Sequence, residues 1–357
     1  MKLEEVIVEF HKMGIPELNK RELIHNIPVD IDKAITIIGL RRVGKTYLLY
    51  QIARELVDSG LRLKDVFYIN FEDNRLEGIS SSDLSRIIEV YKKHNPESKV
   101  MYFLFDEIQN VQGWEKFVRR LLERKGVRIF ITGSSSQLLS KEIATSLRGR
   151  SLSFKLFPLS FKEFLSFKGF NAVEPYIEDE RGRINGYLEE YLKYGGFPEL
   201  VNYEEHLKIR TLQEYLDMVV YKDLVERYGI GKIQVMKDLI KLIVKNFSRR
   251  TSIRSLYNAL SSGASVSKNT VYEYFSYLED IGFVIPVQKF GFSEKEKMKS
   301  IAKLYLIDTG FASVYGVEDK GLRMENLVAT ELLRRKYLYH PVMEICYWHD
   351  RSQKEVD

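Results

Sequence analysis

The stretch from Ile35 to Val57 reads ITIIGLRRVGKTYLLYQIARELV. It opens on a β-type run, Ile35 to Ile38. It passes through Gly39-Leu40-Arg41-Arg42-Val43-Gly44-Lys45-Thr46 and continues as an amphipathic run that ends near Gly60. This is G-x-x-x-x-G-K-[ST] with a strand before it and a helix after it, the context that the phosphate-binding reading of the pattern requires. The glycines let backbone N–H groups wrap a phosphate chain where a side chain would block the turn. Lys45 can reach the β- and γ-phosphates, and the Thr46 hydroxyl can ligate Mg²⁺. The positive end of the following helix adds its dipole. The segment from Gly39 through Thr46 to Tyr47 is the expected nucleotide-binding stretch.

Working outward, Asp65 to Asp73 reads as a second strand with an acidic end. Val100 to Phe105 is apolar on both faces, which suggests a buried parallel strand, and it ends in Asp106-Glu107. In α/β sheets the C-terminal edge of the strands is where ligands bind. Asp106 is placed to hold the Mg²⁺ shell with Thr46, and Glu107 to polarise the attacking water as general base. A hydrophobic-D-E run alone is weak. Sixty residues after Thr46, in a strand–helix alternation, it is specific. Trp114 to Lys125 reads as a helix. Arg128 to Ser136 reads as another buried strand, expected to lie between the other two. Ser134 or Ser135 at its end would sense the γ-phosphate; the alternative is an N-cap for the helix after it. Residues 1–30 read as an amphipathic helix and a loop, with Arg21 a candidate neighbour of the base.

Four motifs in order carry a resemblance: GLRRVGKT, FLFDEIQNVQGWE, IFITGSSSQLL and SLRGRSLSFKLFPLSFKEFL. Over about residues 1–345 the chain resembles the AAA+-related archaeal and bacterial ATPases that carry a C-terminal module, close to the STAND-like branch of P-loop ATPases. The resemblance implies ATP and Mg²⁺ as ligands. It also implies an arginine that completes the site in cis or from a neighbouring subunit of a nucleotide-dependent homo-oligomer, and Arg148 and Arg150 match that position. An arginine in that role stabilises charge developing on the γ-phosphoryl group. Tyr194-Gly195-Gly196-Phe197-Pro198-Glu199 matches a G-G-F-P turn of the same family, in what would be a helical lid.

Residues 232–310 read as a winged helix: Ile233 to Asn246, Thr251 to Leu260 and Lys268 to Ile281 as helices, then Val284 to Lys289 and Ala302 to Ile307 as wing strands. Exposed positions on the third helix are expected at Lys268, Asn269, Thr270 and Tyr272 to Tyr274. Lys295, Lys297 and Lys299 at the wing tip can meet phosphates, while Glu294 and Glu296 blunt that. DNA contact and a purely partner-binding role both remain open. The final stretch resembles the start of a restriction-endonuclease-like module, where Glu325 and Asp357 match two metal-binding positions. The matching carboxylate–x–Lys pair does not follow within the 357 residues, so the module is expected to be incomplete and without nuclease activity.

The expected architecture is α/β: an AAA+-like P-loop NTPase parallel sheet with helices on both faces (1–157), a helical lid (158–231), a winged-helix domain (232–320) and the incomplete module (321–357). Composition fits. Apolar residues make up 45% and charged residues 29%, enough for packed cores. No apolar run approaches membrane-spanning length. Cys346 is the only cysteine, which excludes an intrachain disulfide and suits a reducing, cytoplasmic location. The net charge is +5, and residues 231–320 alone hold 14 Lys and Arg against 9 Asp and Glu, an excess of the same size. The expected function is Mg²⁺-dependent ATP hydrolysis coupled to the winged helix and acting with DNA. The alternative is a slow nucleotide-gated switch that binds a protein partner. No N-K-x-D motif for guanine occurs, and the carboxylate pair argues against a small-molecule kinase.

Overall fold

The computed structural model describes residues 2–133, 147–170, 178–263, 265–291, 293, 296, 300–350 and 355–356. The chain divides into two compact units. The first comprises Met1–Leu40 and Gly44–Leu156; the second comprises Arg41–Val43 and Phe157–Asp357.

In the first unit, helix α1 (Lys2–Met13) buries Leu3, Val6, Ile7 and Phe10, a spacing that lines one helical face. Five parallel strands follow: β1 (Ala34–Ile38), β2 (Val66–Asn70), β3 (Met101–Asp106), β4 (Val127–Gly133) and β5 (Ser151–Lys155). Their order across the sheet is β2-β3-β4-β1-β5. β4 therefore lies between the strand that feeds the phosphate loop and the strand that ends in Asp106-Glu107, as expected from the sequence. β1 is buried along its whole length and β3 along all but its first residue, which explains their near-continuous apolar character. Helices α2 (Lys45–Asp58), α3 (Ile87–His94) and α4 (Trp114–Leu122) connect or flank them. Phe67, Phe103, Phe105, Ile129 and Ile131 from three adjacent strands pack with Tyr91 and Phe117 in one core. Burial of such side chains contributes roughly 1.5–3 kcal/mol each.

In the second unit, α5 (Phe161–Phe167) starts at a capping box: Ser160 accepts from the Glu163 N–H, and Glu163 returns to the Ser160 N–H. Helices α6 (Glu178–Tyr194) and α7 (Glu205–Met218) follow, and α7 runs on into a wide π-helical segment, Val219–Val225. Between α6 and α7, Gly195 has φ +77°, and a Cβ there would lie 1.6 Å from Asp308 Oδ1. Only glycine fits that corner. Three more helices, α8 (Ile233–Lys245), α9 (Ile253–Ser261) and α10 (Lys268–Asp280), precede an antiparallel pair, β7 (Val284–Val287) and β8 (Lys303–Leu306). A two-residue strand β6 (Arg249–Arg250), absent from the sequence reading, joins the other edge of β8. Ser252 and Ser267 cap α9 and α10 through the N–H groups of Ser255 and Thr270, at 3.0 and 3.1 Å. Helix α11 (Lys320–Tyr339) and a short pair, β9 (Trp348–His349) with β10 (Glu355–Val356), complete the described residues.

One expectation for α10 needs correcting. Lys268, Asn269, Tyr272 and Glu273 are exposed, and Thr270 is half-buried, but Tyr274 is buried. It belongs to the inward row Val271, Tyr274, Phe275 and Leu278, which follows the helical period.

Candidate nucleotide site

The phosphate loop links the end of β1 to the start of α2. Gly44 is the residue before the helix, at φ 95°, a left-handed conformation that a side chain would strain. Lys45 is buried, and its Nζ donates to the backbone oxygens of Gly39 at 3.3 Å and Leu40 at 3.1 Å. The ammonium is thus held over the mouth of the loop's own turn, 3.7 Å from Glu107 Oε1. Tyr47, two residues on, is largely exposed and meets Tyr50 edge-on at 5.8 Å.

At the end of β3, Asp106 is almost fully buried and is surrounded by hydroxyls. Thr46 donates to Oδ2 at 2.7 Å, Tyr68 donates to Oδ2 at 2.9 Å, and Thr132 donates to Oδ1. Burial pushes the Asp106 carboxyl above its usual range, with the Glu107 charge adding to it; the hydroxyls of Thr132, Thr46 and Tyr68 pull the other way. Burial, and then the Asp106 charge, raises the Tyr68 phenol, which keeps it a donor. Glu107 is buried, stands at φ 51°, and accepts from Gln109 Nε2 through Oε2. Its backbone N–H donates to Thr132 Oγ1 at 3.0 Å. One threonine on β4 therefore holds both the Asp106 carboxylate and the Glu107 backbone. The sequence reading missed Thr132 and Tyr68. Each sits near the C-terminal end of a strand adjacent to β3, and a hydroxyl one or two residues from a strand end is the signal that pointed there.

The structure thus brings Lys45, Thr46, Asp106 and Glu107 together. Among oxygen-preferring cations Mg²⁺ suits the converging Thr46 hydroxyl and Asp106 carboxylate, both hard oxygen donors. Ser134 and Ser135 lie outside the described residues, as do Asp357 and the wing-tip lysines. Arg148 and Arg150 do not join the group. Arg150 precedes β5, and its backbone oxygen accepts from Ala34, the first residue of β1. The phosphate loop leaves the other end of β1, a strand of roughly 3.3 Å rise per residue away. Both arginines are exposed, with Arg150 3.4 Å from Glu123. Neither is among the side chains that meet Lys45, Thr46, Asp106 and Glu107 in this structure. Arg21 is buried, and its backbone N–H donates to Gln51 on α2 at 2.9 Å. Glu325, matched above to a nuclease position, accepts from Lys303 and Tyr305, each at 2.7 Å. No group of three or more His, Cys, Asp or Glu arranged for a metal occurs among the described residues, and none of their helices is long and apolar enough to cross a membrane.

The strand order, the loop and the carboxylate-ended β3 define a P-loop NTPase fold. Residues 32–165 match a family model described as an AAA domain, and residues 185–320 match a domain of unknown function. An uncharacterized protein of Methanocaldococcus jannaschii is 40% identical over 349 residues, which cover 96% of this chain and 76% of the relative. A Haemophilus influenzae protein is 33% identical over 323 residues, covering 89% and 78%. The chain belongs to the family of these two proteins, with the AAA domain as its N-terminal part. A solved Walker-type ATPase of Pyrococcus abyssi shares the fold, with a TM-score of 0.50 at 15% identity over 85% of this chain and 99% of that one.

Proposed function

We propose that the protein binds ATP with Mg²⁺ in the loop Gly39–Thr46 and hydrolyses it, and that the nucleotide state changes the arrangement of a winged-helix domain acting with DNA. The observation that carries the reading is the convergence of Lys45, Thr46, Asp106 and Glu107 on one edge of the sheet. Backbone N–H groups of the loop and the Lys45 ammonium hold the phosphates. Thr46 and Asp106 would hold Mg²⁺, which when bound neutralises phosphate charge. Glu107 accepts a proton from water as it attacks the γ-phosphoryl group. Thr132 fixes the backbone on which Glu107 is carried, and Gln109 orients its carboxylate. Ser134 or Ser135 senses the γ-phosphate. Arg148 or Arg150 from a neighbouring subunit completes the site in a nucleotide-dependent oligomer.

The winged-helix assignment rests on three helices followed by the β7–β8 hairpin, with β6 on the far edge of β8. Support for DNA comes from Lys268, Asn269 and Tyr272 on the exposed face of α10. Glu273 on the same face favours the second reading, a slow nucleotide-gated switch that binds a protein partner. Steady-state ATPase rates with and without duplex DNA separate them. A rise in rate on adding DNA that Glu107→Gln abolishes supports the first. A slow rate indifferent to DNA, with ATP-dependent partner capture, overturns it in favour of the second.

A further inference from the structure

Residues 239–267 hold five basic side chains, Lys241, Lys245, Arg249, Arg250 and Arg254, and no Asp or Glu. All five are exposed. They gather where α8 ends, β6 passes and α9 begins. Lys241 and Lys245 lie one turn apart on α8, on the side away from its inward row Leu239, Ile240, Ile243 and Val244. Arg249 and Arg250 make up β6, which pairs with β8 along one edge only. Arg254 lies in the first turn of α9, two residues after its cap Ser252. Among the described residues, Lys241, Lys245, Arg249 and Arg254 are in no ion pair. Asp238, the acid that bounds the run, accepts from Gln234 at 3.1 Å. Helix α10 has the opposite balance. It carries one basic residue, Lys268, against Glu273, Glu279 and Asp280, and the Lys268 ammonium lies over the Tyr272 ring at 5.6 Å.

A row of phosphates is therefore repelled along most of α10 and attracted where α8, β6 and α9 meet. We infer that this end of the second unit contacts the phosphate backbone of duplex DNA through Lys241, Lys245, Arg249, Arg250 and Arg254, so that the grip on DNA lies outside α10. The inference rests on the DNA reading above and deepens it by naming the surface. Charge complementarity identifies the occupant. Duplex DNA carries one negative charge about every 1.7 Å along its axis, so each of several neighbouring cations finds a phosphate. The planar guanidinium forks of the arginines hold phosphate oxygens in pairs. Charges on an edge strand also guard against edge-to-edge pairing. That role accounts for β6 but not for Lys241, Lys245 or Arg254, which lie on helices. Backbone contacts of this kind fix where the duplex lies without reading its sequence.

The test is fluorescence anisotropy of a labelled, mixed-sequence DNA duplex with the full chain, repeated over a series of salt concentrations. Wild type is compared with the triple variant Lys245→Ala/Arg249→Ala/Arg254→Ala and with Lys268→Ala. Loss of three phosphate contacts is expected to weaken binding by at least about tenfold near about 0.1 M salt and to reduce the log–log salt slope by about 3, close to one unit per contact. Lys268→Ala is expected to keep the affinity and slope of wild type. Arg249→Lys with Arg254→Lys preserves both charges and is expected to keep most of the slope. In wild type, DNA is expected to slow hydrogen exchange across residues 241–256, a readout that holds even where the triple variant fails to fold. If wild type binds no duplex, the DNA reading fails and this inference falls with it. If wild type binds while the folded triple variant keeps the wild-type slope, or if DNA protects residues 268–280 and not 241–256, DNA binding stands and this surface is refuted.

Discussion

Two buried aspartates, one in each unit, separate what burial does from what a site does. Asp106 closes β3 and Asp308 follows β8, and both are at most 5% exposed with carboxyls raised above the usual range, first of all by burial. Their partners differ. Asp106 is held by three side-chain hydroxyls, Thr46, Thr132 and Tyr68, which can rotate toward an incoming ligand. Asp308 is held by the backbone N–H groups of Gly196 and Gly310, each at 2.8 Å, and no rotation frees them. Arg323 and Arg334 add favourable charge at Asp308. A raised carboxyl therefore does not by itself mark chemistry. Replaceable partners mark it, and fixed backbone partners mark a corner of the fold.

The largest test of this contrast is at the Asp106 end. Glu107→Gln is expected to lower the ATPase turnover by about 10²–10⁴-fold, the range for losing a general base, while fluorescent-ATP affinity stays within a few-fold of wild type. A variant that hydrolyses ATP at a wild-type rate ends the assignment of Glu107. At the Asp308 end, Gly195→Ala forces a methyl into the carboxylate at a left-handed position. It is expected to destabilise the second unit by more than about 3 kcal/mol, seen as an earlier urea midpoint. A neutral result means the corner can open.

Asp308 also predicts a pH dependence. Its carboxyl titrates at about 6 in the fold, against an ordinary 3.8. Between those values the folded chain holds a proton that the unfolded chain has lost. Stability therefore falls as pH rises from about 4 to 6 and is flat above, by an amount on the order of 3 kcal/mol. Asp308→Asn is expected to remove that part of the slope in urea midpoints measured from pH 4 to 7 and to leave ATP affinity alone. If instead it depresses ATP binding as a site variant does, the contrast between the two aspartates collapses. A smaller effect is expected for Thr132→Val, which leaves the Glu107 N–H without its hydroxyl partner. Stability should drop by about 1–3 kcal/mol, and turnover should fall more than ATP affinity. An affinity loss larger than the turnover loss would show Thr132 acting on ground-state binding.

Much of the first unit was legible because its signals are local. A glycine-lysine-threonine loop between strand and helix, and a carboxylate pair ending an apolar strand, each fit within a dozen residues. The position of β4 between β3 and β1 followed from the order of those motifs. Thr132 and Tyr68 were not legible because their role depends on parallel register: Tyr68 faces Asp106 only because β2 pairs with β3 as it does. Tyr274 was placed on the outer face because a run of polar and aromatic residues obscured the helical period. The role of Arg148 and Arg150 came from resemblance, and only the direction of β5 fixed which end of the sheet they occupy.

With Glu107 in its proposed role, its backbone sets folding against activity at one position. At φ 51° the chain prefers glycine or asparagine, and a glutamate there stores about 1–3 kcal/mol of strain. Glu107→Gly is expected to relieve that strain and, on the proposed role of Glu107 as general base, to lose turnover as Glu107→Gln does. A selection for heat resistance alone would drift toward it, and a selection for turnover would pull it back. On that proposed role the acid at this turn is maintained by use, and a sequence optimised only for the stability of this backbone would lose it first.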